Sequence, residues 1–328
     1  MAVQRARTAE RRGPRTGWSA RHRTSQHAAT RFAGQRQRKA VGGPGATPFL
    51  QALDCLRTLL AGLEGAPRIA AVAHRVVHGG QDFSDSVLVT DAVLERLARL
   101  NSLAPLHQPH NLAGIRAFRK AFPALPQVAC FDTAFHAGLP DVARAFALPQ
   151  SLTEQGVRRY GFHGLSYEWI AHCLRADHPH LSGGKVVAAH LGNGASLCAM
   201  VGEKSIDTTM GMTALDGLPM GTRCGALDPG AVLYMLRELK FSPTKIEDLL
   251  YHESGIKGLS GLTNDVKTLS ESADEKAVFA LDYFAMKAAQ YIAAMAVSLG
   301  GMDALIFTGG IGENSEKIRI MILRHLSF

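Results

Sequence analysis

The chain has 328 residues, room for about two domains and a sizeable core. Hydrophobic residues make up 46% and charged residues 20%, the balance of an ordinary globule, and the net charge is +8. Of 36 basic and 28 acidic residues, residues 1–40 hold eleven of the former (ten Arg and Lys39) and only Glu10 of the latter, leaving 25 basic against 27 acidic. The basic character therefore belongs to one segment and does not argue for a nucleic-acid enzyme. Cys55, Cys130, Cys173, Cys198 and Cys224 are scattered and form no C-x-x-C pair. That excludes a disulfide framework and a thiolate zinc site, and it fits a reducing compartment. No stretch reaches the length of a membrane span, and no apolar signal core opens the chain, so the expectation is a cytoplasmic enzyme.

Residues 1–46 lack apolar periodicity and cannot bury enough surface to offset their ordering entropy. Three readings are open for them: a transit segment, a basic nucleic-acid arm, or sequence not native to the fold. Pro48 to Leu63 has helical spacing and ends at Gly65 and Pro67. Ile69 to Val77 reads as a buried strand, Leu112 to Phe122 as a helix, Val128 to Phe131 as a short strand and Leu165 to Ala176 as an amphipathic helix. Lys185 to Leu191 and Ser196 to Val201 are strand-like, and Gly192-Asn193-Gly194 between them signals a hairpin. Ala273 to Leu299 is a long helix stopped by Gly300-Gly301, and Ala304 to Phe307 is a strand running into the turn Gly309-Gly310-Ile311-Gly312-Glu313-Asn314. Hairpins alternating with helices predict a layered α/β protein with mixed sheets.

The chemistry sits at strand ends. Two glycine-rich turns, at 192–194 and 309–314, let backbone amides approach a phosphate, but neither is a Walker loop nor a dinucleotide fingerprint. Arg75 stands in the core-like run His74-Arg75-Val76-Val77-His78, Asp132 ends a strand, His163 lies between Phe162 and Gly164, and His107 and Arg223 occupy apolar surroundings. Each arginine needs a carboxylate or phosphate partner there, and for any single one an internal salt bridge is the commoner outcome. Two Arg, several His and a strand-terminal Asp beside two glycine turns match the needs of phosphoryl transfer. His74 and His78 lack the acid of a zinc-binding helix, and no G-x-S-x-G elbow is present.

These segments closely resemble the acetate kinase family. The resemblance rests on HRVVHGG (74–80), LAPLH (103–107), FDTAFH (131–136), YGFHGLSYE (160–168), AHLGNGASLCAM (189–200), DTTMGMTALDGLPMGTRCGALDPG (207–230), SGLTNDVKTL (260–269) and FTGGIGENS (307–315), in family order across about 51–328. It implies the α/β fold of the acetate and sugar kinases, Hsp70 and actin: two domains with mixed sheets flanked by helices and a cleft between them. Residues 1–46 would be a basic segment outside that fold, 47–148 a partial first domain and 149–328 a second domain.

By the same resemblance, Arg75, Asp132, His163 and Arg223 would be catalytic. Arg75, Val77, Leu106, Phe162 and Ala214 would bind the short-chain acid. His107, His190, Leu191, Gly192, Asn193, Gly194, Asp265, Val266, Lys267, Gly309, Gly310, Ile311, Gly312, Glu313 and Asn314 would border ATP or ADP. Asp132 would help to organise Mg²⁺. The implied reaction is reversible transfer of the ATP γ-phosphoryl group to acetate, or to propionate, giving acetyl phosphate and ADP. The implied assembly is a homodimer, with neither nucleic acid nor membrane as partner. Family members open with a strand and an N-x-G-S-S-S type phosphate loop, which residues 1–50 do not contain, and continue past the GGIGENS helix to a Glu associated with Mg²⁺. The expectation is therefore an incomplete first domain, with an altered frame or replaced start as the simplest reading of the basic segment. The alternative function is a catalytically impaired relative that only binds nucleotide. Ala214, where the family usually has Pro, would widen the acyl pocket.

Overall fold

The computed structural model describes residues 2–5, 55, 58, 59, 62, 69–105 and 107–327. Residues 70–328 and the N-terminal strand form one compact unit, and 7–69 a second, in which Cys55, Thr58 and Leu59 are helical. The rest of the helix expected over 48–63, most of the basic segment, and Leu106 lie outside the described residues.

The larger unit holds two mixed sheets. The first has strands β2 (Val72–Val76), β3 (Val87–Leu88) and β4 (Gln127–Phe131) in the order β2-β4-β3, with β2 parallel and β3 antiparallel to β4. Helices α1 (Asp91–Ala98) and α2 (Gln108–Ala121) pack on it. Leu94, Leu97, Leu112 and Ile115 meet Val76, Ala129 and Phe131 in one buried cluster. Thr90 caps α1 by accepting the Val93 amide, and Pro109 enters the first turn of α2, where its missing N–H costs nothing.

The second sheet has the order β1-β8-β5-β6-β7, from β1 (Ala2–Arg5), β5 (Lys185–Leu191), β6 (Ala195–Val201), β7 (Lys204–Thr208) and β8 (Ala304–Thr308). β5 runs parallel to β8, whereas β6, β7 and β1 join antiparallel. The four residues Ala2–Arg5, inside the segment read as unstructured, thus pair with β8.

Both faces of this sheet are covered, which is why β5 and β6 read as nearly continuous apolar runs. Val187, Ala189, Leu191, Leu197 and Ala199 face α5 (Glu275–Leu299), whose Ala277, Ala280, Leu281, Phe284 and Ala288 recur at helical spacing. The alternate residues Val186, Ala188, Cys198 and Met200 face α3 (Gly164–Asp177) through Tyr167, Ile170 and Leu174. The short helix α4 (Val266–Glu271) precedes α5, which Asp274 caps and Gly300 ends at φ +63°. No described helix is long and apolar enough to cross a membrane.

The 192–194 hairpin forms as its sequence dictates, with Leu191 opposite Ala195 and the Gly192 amide on the Gly194 carbonyl at 2.9 Å. The second glycine segment differs from expectation. Gly309–Asn314 is a short helix, α6, not an open turn, and α7 (Glu316–Arg324) follows it. Gly309 makes this possible at φ +78°, since a Cβ there would stand 2.6 Å from the Leu191 carbonyl oxygen. The two glycine segments therefore meet at the ends of neighbouring parallel strands.

Candidate active site

The ends of β2, β4, β5 and β6 surround a cleft of about 750 Å³. Arg75 projects from β2, and Asp132 directly follows β4, its amide on the Val76 carbonyl. The two meet in a forked pair: Arg75 Nε donates to Oδ1 of Asp132 at 2.9 Å and Nη2 to Oδ2 at 2.6 Å. Asp132 is 3% exposed and Arg75 is 61% exposed, so the pair presents cationic surface to the cleft. The carboxylate raises the Arg75 pKa, chiefly through these hydrogen bonds. The internal salt bridge anticipated for one arginine is thus present here.

Arg223 is different. Its Nη1 donates to the Ala214 carbonyl at 3.2 Å and touches Met220 Sδ. Among the described residues no carboxylate lies within ion-pair distance of it. Burial lowers its pKa, the mark of a desolvated cation without an anion. The fields of Arg75 and Arg223 both reach His107 and His163 and reinforce the burial that depresses each imidazole.

His163 caps the start of α3 in a left-handed conformation, φ 58°. The next residue, Gly164, donates its amide to the Asp132 carbonyl at 2.8 Å; a Cβ there would lie 2.2 Å from that oxygen. Only glycine lets His163 and Asp132 approach so closely. The ring stacks on His190, centroids 4.3 Å apart, and Nδ1 lies 2.8 Å from Ser196 Oγ. Ser196 also pairs with Tyr167, and His190 Nδ1 with Ser166 Oγ at 2.9 Å. His163 is held well below its usual pKa, mainly by burial, and His190 is lowered to about 4 by burial and then by Arg75. Both rings are neutral at pH 7.

Val77, His107, Phe162, His190, Gly192, Asn193, Gly194 and Ala214 line the same cleft. A second pocket, of about 470 Å³, is lined by Asp265, Val266, Lys267, Gly310, Ile311 and Asn314. Asn193 belongs to both walls, and its Oδ1 accepts from Asn264 Nδ2 at 2.9 Å. The remaining anticipated residues stand behind these linings: Leu191 and Gly312 are buried, Gly309 packs on Leu191, and Glu313 accepts from the Thr308 hydroxyl.

Sequence reasoning missed Asn111, Ser166 and Trp169 in the cleft, and Asn264 and Ser270 in the second pocket. Asn111 had a readable signal. It stands four residues after His107, on the same helical face, and holds the Val77 amide at 3.0 Å.

The fit to a resident Mg²⁺ is poor. Among the described residues Asp132 is the one carboxylate lining the cleft, and Arg75 holds both its oxygens. Among the described residues no group of three His, Cys, Asp or Glu is placed to hold a metal ion.

Two helix-flanked mixed sheets around such a cleft define the class: the fold of the acetate and sugar kinases, Hsp70 and actin. The propionate kinase structure from Francisella tularensis aligns over 84% of this chain and 73% of its own, with TM-score 0.80 and 41% identity. The acetate kinase structure from Entamoeba histolytica aligns over 85% and 73%, with TM-score 0.78 and 34% identity. The profile of the acetokinase family matches residues 26–328, starting within the basic segment, and the chain belongs to that family. Acetate kinase of Rhodopseudomonas palustris is 57% identical over 257 residues, 77% of this chain and 64% of that protein. Acetate kinase of Methylocella silvestris is 51% identical over 278 residues, 84% and 69% respectively. The chain thus spans a little under two thirds of the Rhodopseudomonas protein.

Proposed function

We propose that this chain is a short-chain carboxylate kinase, transferring the γ-phosphoryl group of magnesium-bound ATP to acetate or propionate, reversibly, to give an acyl phosphate and ADP. One observation carries the reading: Arg223, desolvated and without a carboxylate partner among the described residues, faces the same cleft as Arg75, and that cleft joins a second pocket at Asn193. A desolvated cation lacking an anion is a site for one that arrives.

The chemistry asks little covalent work of the protein. A carboxylate oxygen of the acid attacks the γ-phosphorus, the bond from phosphorus to the bridging oxygen breaks, and that electron pair leaves on ADP. The nucleophile is already an anion, so no base is needed, and a cleft of cations and neutral donors is the appropriate equipment. Arg75 and Arg223 would hold the acid and the moving phosphoryl group. The Nε2 edge of His163, which lies against Gly194 and so near Arg223, would donate to an equatorial phosphoryl oxygen. Val77, Phe162 and Ala214 would enclose the alkyl group, and Asp265 to Lys267 with Gly310, Ile311 and Asn314 the adenosine. A homodimer in the cytoplasm belongs to the same reading, on the strength of the family.

The test is ATP formation from ADP, Mg²⁺ and acetyl phosphate by the purified chain, with Arg223→Ala as control. Activity that disappears in the control supports the proposal. ATP binding without turnover supports instead a relative that only binds nucleotide.

A further inference from the structure

Asp132 faces the cleft, but Thr133, next in the chain, lines a separate cavity of about 160 Å³ that no part of the proposed reaction uses. Arg144, Arg158 and Arg159 converge on it, together with Gln81 and Ser84 from the turn after β2, and among the described residues no carboxylate lines it. The charge of Arg159 is answered: Nη1 donates to the carbonyls of Thr208, Thr209 and Met210 and reaches Asp216 Oδ2 at 3.4 Å. The other two are not so placed. Arg144 has one hydrogen bond, to the Ala137 carbonyl, and Arg158 lies over the Tyr160 ring at 5.5 Å with its Nε buried and unpartnered. Among the described residues neither has a carboxylate within ion-pair distance. They also repel one another: burial first and Arg158 second lower the Arg144 pKa, and Asp141 on the same turn only partly opposes this.

Two like charges converging on a partly enclosed pocket, with a buried N–H left unpaired, are unfavourable unless something anionic sits between them. Neutral donors are at hand. The Thr133 hydroxyl accepts the Gly79 amide and so keeps its own proton to give. His136 adds no charge, because both ring nitrogens are engaged, with Ser205 and the Phe162 carbonyl, and burial lowers its pKa to about 4. The space equals that of about five water molecules, at roughly 30 Å³ each, which suits a single tetrahedral oxyanion.

We propose that Arg144, Arg158, Gln81, Ser84 and Thr133 form a second anion site, distinct from the cleft, that binds free phosphate or a similarly small oxyanion. An ion there would tie the segment 158–163, which carries His163, to the turn after β2 and to the residue following Asp132.

The probe is inorganic phosphate, titrated by calorimetry and by thermal shift at constant ionic strength. The protein is the full chain carrying Arg223→Ala, which removes the unpaired cation of the cleft. One saturable site that raises Tm is expected to remain. Adding Arg144→Gln or Arg158→Gln should weaken it at least about tenfold, the worth of a charge-assisted hydrogen bond, while Arg158→Lys restores part of it. Without phosphate, Arg144→Gln should melt at or above its parent, because it relieves repulsion. The proposal is overturned if no saturable phosphate binding survives Arg223→Ala, or if binding ignores both substitutions. A lower Tm of Arg144→Gln with the phosphate response intact would also overturn it, marking these arginines as scaffold only.

Discussion

Ser196 Oγ lies 2.8 Å from His163 Nδ1, and this contact decides which nitrogen of His163 carries the proton. Tyr167 is fully buried with its pKa raised well above the phenol value, so it remains protonated. The His190 amide donates toward its oxygen, which leaves the phenol proton for Ser196. In the arrangement expected, Ser196 accepts from Tyr167 and gives its own proton to Nδ1. His163 is then the neutral tautomer with Nε2–H facing the cleft, a donor without a formal charge. Ser196→Ala removes that control. If His163 acts on the moving phosphoryl group as proposed, the substitution should lower kcat by about 10- to 100-fold with KM little changed. Nitrogen chemical shifts of His163 should move from the Nε2–H pattern toward a mixture. Unchanged shifts with full activity would dismiss the relay.

The two cleft arginines should part company when deleted. Arg75→Ala strands a buried carboxylate, Asp132, and should cost about 3 kcal/mol of stability as well as activity. Arg223→Ala strands no acid, so its melting temperature should stay near or above that of the parent while turnover falls by about 10³-fold. Denaturant unfolding of both variants beside their kinetics checks this. Equal destabilisation would mean that Arg223 is a structural ion-pair member.

Acid should unfold the protein earlier than its carboxylates alone require. His78 and His136 are buried and His190 is half-buried, and all three have pKa values lowered to about 4. In the unfolded chain they titrate near 6.5, so between these values the unfolded state binds more protons. Stability is therefore complete above about pH 6.5 and is lost as the pH falls toward 4, by up to about 1.4 kcal/mol per pH unit for each histidine. Thermal melts from pH 7.5 to 4.5 should show the fall beginning near 6.5. His136→Gln, keeping a neutral polar group against Ser205 and Phe162, should make the acid branch shallower.

The parts of this fold that the sequence makes legible are those where one physical demand dominates. β5, β6 and α5 are buried along their length, so their apolar runs locate them within two residues. β7 escapes notice because Lys204–Thr208 carries a single aliphatic residue and is held by pairing to β6 through a bulge at Ala199 and Met200. α6 escapes because glycine propensity argues against a helix. Glycine is nonetheless required where the helix begins, because Gly309 holds φ +78° and a Cβ there would stand 2.6 Å from the Leu191 carbonyl oxygen. At the site, residue types and order suffice to gather the cleft, since Arg75, Asp132, His163 and Arg223 do converge. No reading of the chain could show that Arg75 has a carboxylate and Arg223 does not, because that depends on partners up to 57 positions away.

Ala214 offers a test of the acid pocket that separates shape from charge. Its side chain lines the cleft with Val77 and Phe162, and its carbonyl accepts from Arg223. Ala214→Pro adds apolar volume where the proposed alkyl group would lie, so it should disfavour propionate against acetate. One methylene in such a pocket is worth about 1–3 kcal/mol, so the ratio of kcat/KM values should shift by roughly 10- to 100-fold. If proline instead displaces the carbonyl and with it Arg223, turnover of both acids should fall together and the ratio should not move. Measuring kcat/KM for acetate and propionate in the parent and the variant distinguishes the two. A constant ratio removes Ala214 from the pocket wall that selects the acid, leaving its carbonyl as the whole of its contribution.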